Sequence, residues 1–255
     1  MINKNYINNK WVNSIDGDSF EVENPFTEKV IAEVPYSKER DVDSAVNSAK
    51  LAWKNWKNLG SLDMRDLLRE VAVKSRENNR EIAEIIVAES GKPLIECLDE
   101  IEWISSIFEY YSEIGRDQKG RVVAPVTSRS ISMVIKESYG VVGCIVPWNY
   151  PLLLMAWKVA PALASGNTVV IKPSEYTPLS IMHWLQVACD HLPAGIINMI
   201  TGDGVTGSYL VEHPDTRVIA FTGSVDTGKK IALMAAKQLK KTSLELGGND
   251  PIIIC

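Results

Sequence analysis

Apolar and polar positions follow different periods along this chain, and the changes of period divide it. Residues 1–36 carry short alternations broken at Asn24-Pro25 and Val34-Pro35, the pattern of short strands and turns. The period then lengthens. Val42, Ala45, Val46, Ala49, Ala52, Trp53 and Trp56 recur at helical spacing, with Ser37 placed as the N-cap. Leu67, Leu68 and Val71 continue the pattern, followed by Ile82, Ile85 and Ile86. A longer helical stretch after Pro93 carries Cys97, Leu98, Ile101, Ile104 and Phe108. Trp53, Trp56 and Trp103 lie on these faces and read as core. From Val122 to Ile135 the chain turns β-like. After Gly140, apolar runs at 141–146, 168–172, 197–200 and 217–221 are each followed by a helix-compatible stretch. Unbroken apolar strands alternating with helices predict an α/β fold, a parallel sheet with helices on both faces. Ligands in such sheets bind outside the carboxyl ends of the strands, so the residues just after each run are the candidates.

Composition narrows the function classes. The chain has 255 residues, 45% of them hydrophobic and 23% charged, enough for one large domain or two small ones. A net charge of −5 argues against nucleic-acid or anionic-membrane partners, and Lys237, Lys240 and Lys241 read as a solvated helix face. The opening MINKNYINNKW has no apolar core of a signal peptide, and Leu152 to Ala164 is interrupted by Lys158 and Pro161. Cys97, Cys144, Cys189 and Cys255 are far apart with no CxxC pair, and His183, His191 and His213 form no site by spacing. No metal is expected, and a reducing cytoplasm is the expected location.

The strand ends carry the chemistry. After the first comes Pro147-Trp148-Asn149-Tyr150-Pro151, a rigid turn whose Asn149 could cap a helix or donate its amide to a developing oxyanion. After the second comes Lys172-Pro173-Ser174-Glu175, able to hold a ribose or phosphate or to form a surface ion pair. After the third, Gly202-Asp203-Gly204-Val205-Thr206-Gly207 has the form G-x-G-x-x-G. Its acidic partner would be Asp226, in a different turn, so it reads as a glycine-rich turn near a cofactor and not a standard pyrophosphate loop. Phe221-Thr222-Gly223-Ser224 is the better pyrophosphate candidate, because Gly223 permits close approach and a helix starts near Ser224. A fifth short strand ends in Leu244-Glu245-Leu246-Gly247-Gly248. A Glu held between apolar residues is expected to have a raised pKa and to act as a general base.

Together, Pro147-Trp148-Asn149, Lys172-Pro173-Ser174-Glu175, Phe221-Thr222-Gly223-Ser224 and Glu245-Leu246-Gly247-Gly248 resemble the aldehyde dehydrogenase family in order and separation. The resemblance covers essentially the whole chain and implies a Rossmann-like sheet. In that family a cysteine thiolate attacks an aldehyde, hydride leaves to NAD(P)⁺, and water activated by a glutamate hydrolyses the thioester. It implies that Glu245 is the general base, Asn149 the oxyanion donor and Lys158 a proton-relay lysine. Trp148, Lys172, Pro173, Ser174, Glu175, Gly202, Gly223, Ser224 and Leu246 would line the cofactor site. Tyr150, Leu153, Leu154 and Trp157 would face the aldehyde. Glu175 disfavours a 2′-phosphate, so NAD is the expected cofactor, with NADP the second option.

The resemblance also implies a departure. The family's nucleophilic cysteine lies in a catalytic domain beyond the matching segment, and none of the four cysteines here substitutes well. The expected division is a NAD(P)-binding domain at 1–121 and 139–247, a β-hairpin oligomerisation-like segment at 122–138, and a stub of the catalytic domain at 248–255. The apolar Pro251–Cys255 run is expected to be a sticky edge that lowers solubility. Three readings stay open. The chain could be a truncated enzyme, inactive alone, that works on a small aldehyde as a homo-oligomer or with a complementing catalytic half. It could instead be a non-catalytic NAD-binding module, or an interaction partner of full-length relatives.

Overall fold

Asn8 and Asn9 both adopt left-handed backbone, φ 53° and 56°, and turn the chain between β1 (Asn5–Ile7) and β2 (Lys10–Val12). Two-residue turns of this kind match the twist of the strands they join, and asparagine tolerates them. The computed structural model describes residues 3–254, so Cys255 lies outside the described residues. A separate antiparallel ribbon, β3 (Ser19–Asn24) and β4 (Lys29–Pro35), leads into four helices. These are α1 (Glu39–Trp56), α2 (Ser61–Glu77), α3 (Asn79–Ser90) and α4 (Leu94–Ile114).

Two helix-level expectations are corrected. Ser37 does not cap α1: it is buried, and its hydroxyl bonds the Asn5 side chain. Asp41 caps instead, its Oδ2 accepting from the Lys38 amide at 3.0 Å. Trp56 is core, but Trp103 is exposed and donates to Asp99 on its own helix at 3.2 Å. Its aromatic bulk lies on the outer side of α4, where the stripe is broad enough to spill past the buried face.

A short exposed hairpin, β5 (Arg121–Val123) with β6 (Ser132–Val134), then leaves the body. Five strands follow: β7 (Val141–Ile145), β8 (Thr168–Lys172), β9 (Ile197–Met199), β10 (Thr216–Gly223) and β11 (Lys241–Leu246). They alternate with α5 (Pro151–Ala164), α6 (Leu179–Ala188), α7 (Gly204–Glu212) and α8 (Val225–Ala236). The sheet order is β11-β10-β7-β8-β9-β1-β2, parallel from β11 to β9, with β1 and β2 added antiparallel beyond β9. The parallel α/β expectation therefore holds for the strands that carry the site.

Helices cover both faces of the sheet. α5 and α6 pack with α2, α3 and α4 on one face, while α1, α7 and α8 lie together on the other. The chain winds outward from β7 through β8 to β9, then returns to place β10 and β11 on the opposite side of β7. Right-handed crossovers then put α8 on the face opposite α5. The reversal opens a crevice at the carboxyl ends of β7 and β10, the place where such sheets bind ligands.

Candidate active site

Parallel register brings the sequence-separated motifs to one edge. Thr222 pairs with Glu245 and Gly223 with Leu246 across β10 and β11, and Ile145 pairs with Lys172 across β7 and β8. The edge reads in spatial order Glu245, Thr222, the Pro147–Tyr150 turn, Lys172 and the Gly202 turn.

On the α5 side lies a cavity of about 440 Å³ lined by Leu154, Trp157, Lys158, Phe221, Ser243 and Glu245. Lys158 is only 7% exposed, and its ammonium donates to Thr222 Oγ1 at 2.5 Å and to the Leu154 carbonyl at 3.2 Å. Thr222 Oγ1 in turn lies 3.4 Å from Glu245 Oε2. Burial holds the Lys158 ammonium below the ordinary lysine value, with Cys144 and Glu245 opposing it. The expected apolar enclosure of Glu245 is corrected. Successive residues of a strand face opposite sides, so Leu244 and Leu246 pack on the α8 side while the Glu245 carboxylate stands exposed.

Asn149 is exposed, and its amide bonds nothing among the described residues. It does not cap α5. The Leu152 and Leu153 amides donate instead to Glu100 Oε1 at 2.9 and 3.0 Å. Glu100 is 1% exposed and pairs with the Lys92 ammonium at 2.6 Å, which also sits 3.6 Å over the Tyr150 ring. This cluster holds the turn that presents Trp148 and Asn149. Tyr150 is thereby engaged with Lys92 and does not line the cavity, nor does Leu153, whereas Leu154 and Trp157 do.

On the other face, a cavity of about 580 Å³ opens between α7 and α8. Gly204, Gly207, Ile231, Leu233 and Met234 make much of its wall, with Lys172 at its end. Lys172 is 4% exposed and donates to the carbonyls of Pro173 and Gly202, each at 2.7 Å. Glu175 Oε2 lies 4.0 Å from its ammonium. Burial pushes the Lys172 amine down to about 8, partly offset by Glu175 and Asp203. Gly202 sits at φ +146°, where a side chain would strike Thr206 Oγ1, and so turns its carbonyl onto Lys172. Ser174 is buried, its hydroxyl accepting from the Tyr176 amide at 3.3 Å.

Four helices begin at this edge, and their N-termini differ. α5 is capped by Glu100, and α6 by Glu89, whose oxygens accept from Leu179 and Ser180 at 2.7 and 3.0 Å. α7 is capped by Asp203, which accepts from Val205 at 2.8 Å. α8 alone is capped by a neutral group, Ser224 Oγ, which accepts from Thr227 at 3.2 Å. The other three N-terminal caps are carboxyl groups that already fill the donor positions; at α8 the cap is a hydroxyl, with Asp226 in the first turn.

Residues 11–255 match the aldehyde dehydrogenase family profile. The chain belongs to the aldehyde dehydrogenase family. Betaine aldehyde dehydrogenase 1 of Oryza sativa subsp. japonica is 38% identical over 98% of this chain and 51% of its own length. The mitochondrial succinate-semialdehyde dehydrogenase of Arabidopsis thaliana is 38% identical over 97% of this chain and 47% of its own. Among solved structures, a Staphylococcus aureus betaine aldehyde dehydrogenase in complex with NAD⁺ superposes with a TM-score of 0.93 at 32% identity, over 96% of this chain and 50% of that one. An Escherichia coli NADP-dependent enzyme gives a TM-score of 0.94 at 33% identity, over 97% of this chain and 52% of that one. This aldehyde dehydrogenase chain thus spans about half the length of the relatives it matches.

Several residues of this aldehyde dehydrogenase chain escaped the sequence reading. Glu89 and Glu100 sit in helices, where single acids read as solvated. Thr222 stood inside a quoted motif without a role of its own. The α8 wall residues Ile231, Leu233 and Met234 carry only the ordinary signal of a helix face.

Proposed function

We propose that this chain is the nicotinamide-nucleotide-binding portion of an aldehyde-oxidising enzyme, with NAD as its cofactor. The hydroxyl-capped N-terminus of α8, with Asp226 in its first turn, lies beside the cavity between α7 and α8 and carries the reading. The pyrophosphate would rest on the amides after Gly223 and Ser224, and the adenine in the largely apolar slot. Lys172 and Glu175 would hold the ribose hydroxyls at the slot's end. Trp148 and Leu246 would stand toward the nicotinamide, which supplies the hydride acceptor when bound. Across the sheet, Asn149 would donate to an oxyanion, Glu245 would activate water, and Lys158 would pass a proton through Thr222.

None of the described cysteines suits the part of a thiol nucleophile. Cys97, Cys144 and Cys189 are all buried. Burial pushes the Cys97 thiol up to about 11 and Cys144 to about 12, and raises Cys189 too, the reverse of what a reactive thiolate needs. The reading therefore includes a complementing catalytic portion and a small aldehyde substrate. Three buried free thiols also support a reducing, cytoplasmic location. Among the described residues no helix is long and apolar enough to cross a membrane.

Ser224→Asp tests the nucleotide reading directly. Aspartate caps a helix as well as serine does, so α8 persists, but its charge opposes a phosphate. NAD⁺ affinity, followed by calorimetry, should fall about tenfold or more at unchanged thermal stability, in keeping with a like charge near the pyrophosphate. Equal affinity in both proteins would remove the pyrophosphate from α8.

The exposed hairpin supports a second element of the proposal, association with copies of this chain or longer relatives. Val122, Val126, Ile131, Met133 and Ile135 leave an apolar surface exposed on one projecting arm. A Val126→Asp, Ile131→Asp variant should shift light-scattering mass toward the monomer, and an unchanged mass would dismiss the arm as an interface.

A further inference from the structure

The nucleotide slot ends at a lysine flanked by two carboxylates, one in its own turn after β8 and one in the turn after β9. Glu175 lies 4.0 Å from the Lys172 ammonium. The other is Asp203, set between Gly202, whose carbonyl accepts from that ammonium at 2.7 Å, and the slot-lining Gly204. Lys172 has little left to offer an anion, since two of its three N–H groups are spent on the Pro173 and Gly202 carbonyls.

Asp203 is also held in place from a distance. Its Oδ1 accepts from the Val205 amide and from the Tyr36 hydroxyl, each at 2.8 Å. Tyr36 comes from the end of the β3–β4 ribbon, where its amide donates to the Asp18 carbonyl at 2.8 Å and its ring meets Phe20 edge-on. The bond to Asp203 pushes the Tyr36 phenol up to about 12, so it remains a donor throughout the physiological range. Among the described residues, no hydrogen bond engages Oδ2, while Oδ1 holds both donors. Lys230, on the α8 wall of the slot, is the other basic residue lining it.

We propose that Asp203, oriented by Tyr36, is the second of two carboxylates that admit a nucleotide with a free 2′-hydroxyl and reject one bearing a 2′-phosphate. A ribose hydroxyl can donate to either carboxylate. A 2′-phosphate would bring a second anion against both of them, with a lysine whose donors are already committed. The inference rests on the reading of the α7–α8 slot as the nucleotide site, and it gives Tyr36 a positioning role from a remote part of the chain.

The test is calorimetric titration of the purified chain with NAD⁺ and NADP⁺ separately. Asp203→Asn keeps Oδ1 as the α7 cap and the acceptor for Tyr36 and removes only the charge. The ratio of NADP⁺ to NAD⁺ dissociation constants should fall about five- to tenfold, chiefly through tighter NADP⁺, as for removal of one like charge. Glu175→Gln should act in the same direction, and the double variant should bring the ratio near unity. Tyr36→Phe should lower the ratio by a smaller factor, and a fold defect would instead weaken both nucleotides alike. If the parent chain binds NAD⁺ but Asp203→Asn leaves the ratio unchanged, the inference is overturned and the slot reading stands. If the parent chain binds neither nucleotide, the slot reading falls and takes the inference with it.

Discussion

The Lys158 ammonium donates to the Thr222 hydroxyl at 2.5 Å, linking the interior of α5 to the last turn of β10. The hydroxyl lies 3.4 Å from Glu245 Oε2, so Lys158, Thr222 and Glu245 stand in line. Thr222→Val keeps the shape and deletes the link. Without its oxygen acceptor the buried ammonium is less well solvated, and the Lys158 pKa should drop further below the ordinary lysine value. Side-chain ¹⁵N NMR titration of Lys158 reports this, and an identical curve in the variant would exclude Thr222 as the bridge.

Glu100 accepts from two backbone amides and pairs with Lys92 in a site closed to solvent. Glu100→Ala should destabilise the chain by about 3 kcal/mol, because it strands a partly buried ammonium and two helix-end donors. Urea unfolding measures the loss. Adding Lys92→Met should recover part of it, and strict additivity of the two changes would mean the pair is not coupled.

Stability should also depend on pH through Glu89. Burial raises its carboxyl from an ordinary 4.5 to about 8, against the pull of the Leu179 and Ser180 donors. The folded state then holds a proton that the unfolded state has already released. The contribution is therefore full below about pH 4.5 and lost progressively as pH rises toward 8, by at most about 1.4 kcal/mol per pH unit. Glu89→Gln should flatten the difference in urea midpoint across this window. Parallel profiles for the two proteins would contradict the shift.

Gly202→Ala tests the lysine cradle. The new Cβ would lie 2.1 Å from Thr206 Oγ1, on a backbone that side chains avoid, and Thr206 is tied to the Ser37 carbonyl. A loss of roughly 2–3 kcal/mol in thermal unfolding is expected from the strain. NAD⁺ binding should weaken alongside it, because the carbonyl that anchors Lys172 moves.

The sheet was legible because parallel strands buried on both faces become unbroken apolar runs, and such runs place their following residues at one edge. Pro147–Asn149, Lys172, Gly223 and Glu245 were found that way. Helix ends were not legible. Glu89 and Glu100 reach their amides across 90 and 52 positions, and no local spacing announces such a partner. Glu245 failed in the opposite sense: its neighbours in sequence are leucines, but in a strand they turn to the other face. Asp203 lay within a recognised glycine pattern, yet its role as a carboxylate cap depends on Tyr36, far away in the N-terminal ribbon.

The buried caps carry a consequence for biosynthesis. Glu89 and Glu100 belong to α3 and α4, which leave the ribosome before the amides they serve in α5 and α6 have been made. The helical layer therefore emerges with Glu89 lacking its amide partners and Glu100 paired with Lys92 alone, and β1 must also wait for β9 before it joins the sheet. The first half of the chain cannot settle as a finished unit during translation. Its closure is deferred until the strands of the second half arrive, so a stall between residues 115 and 150 would leave a nascent chain with charged, unsealed seams.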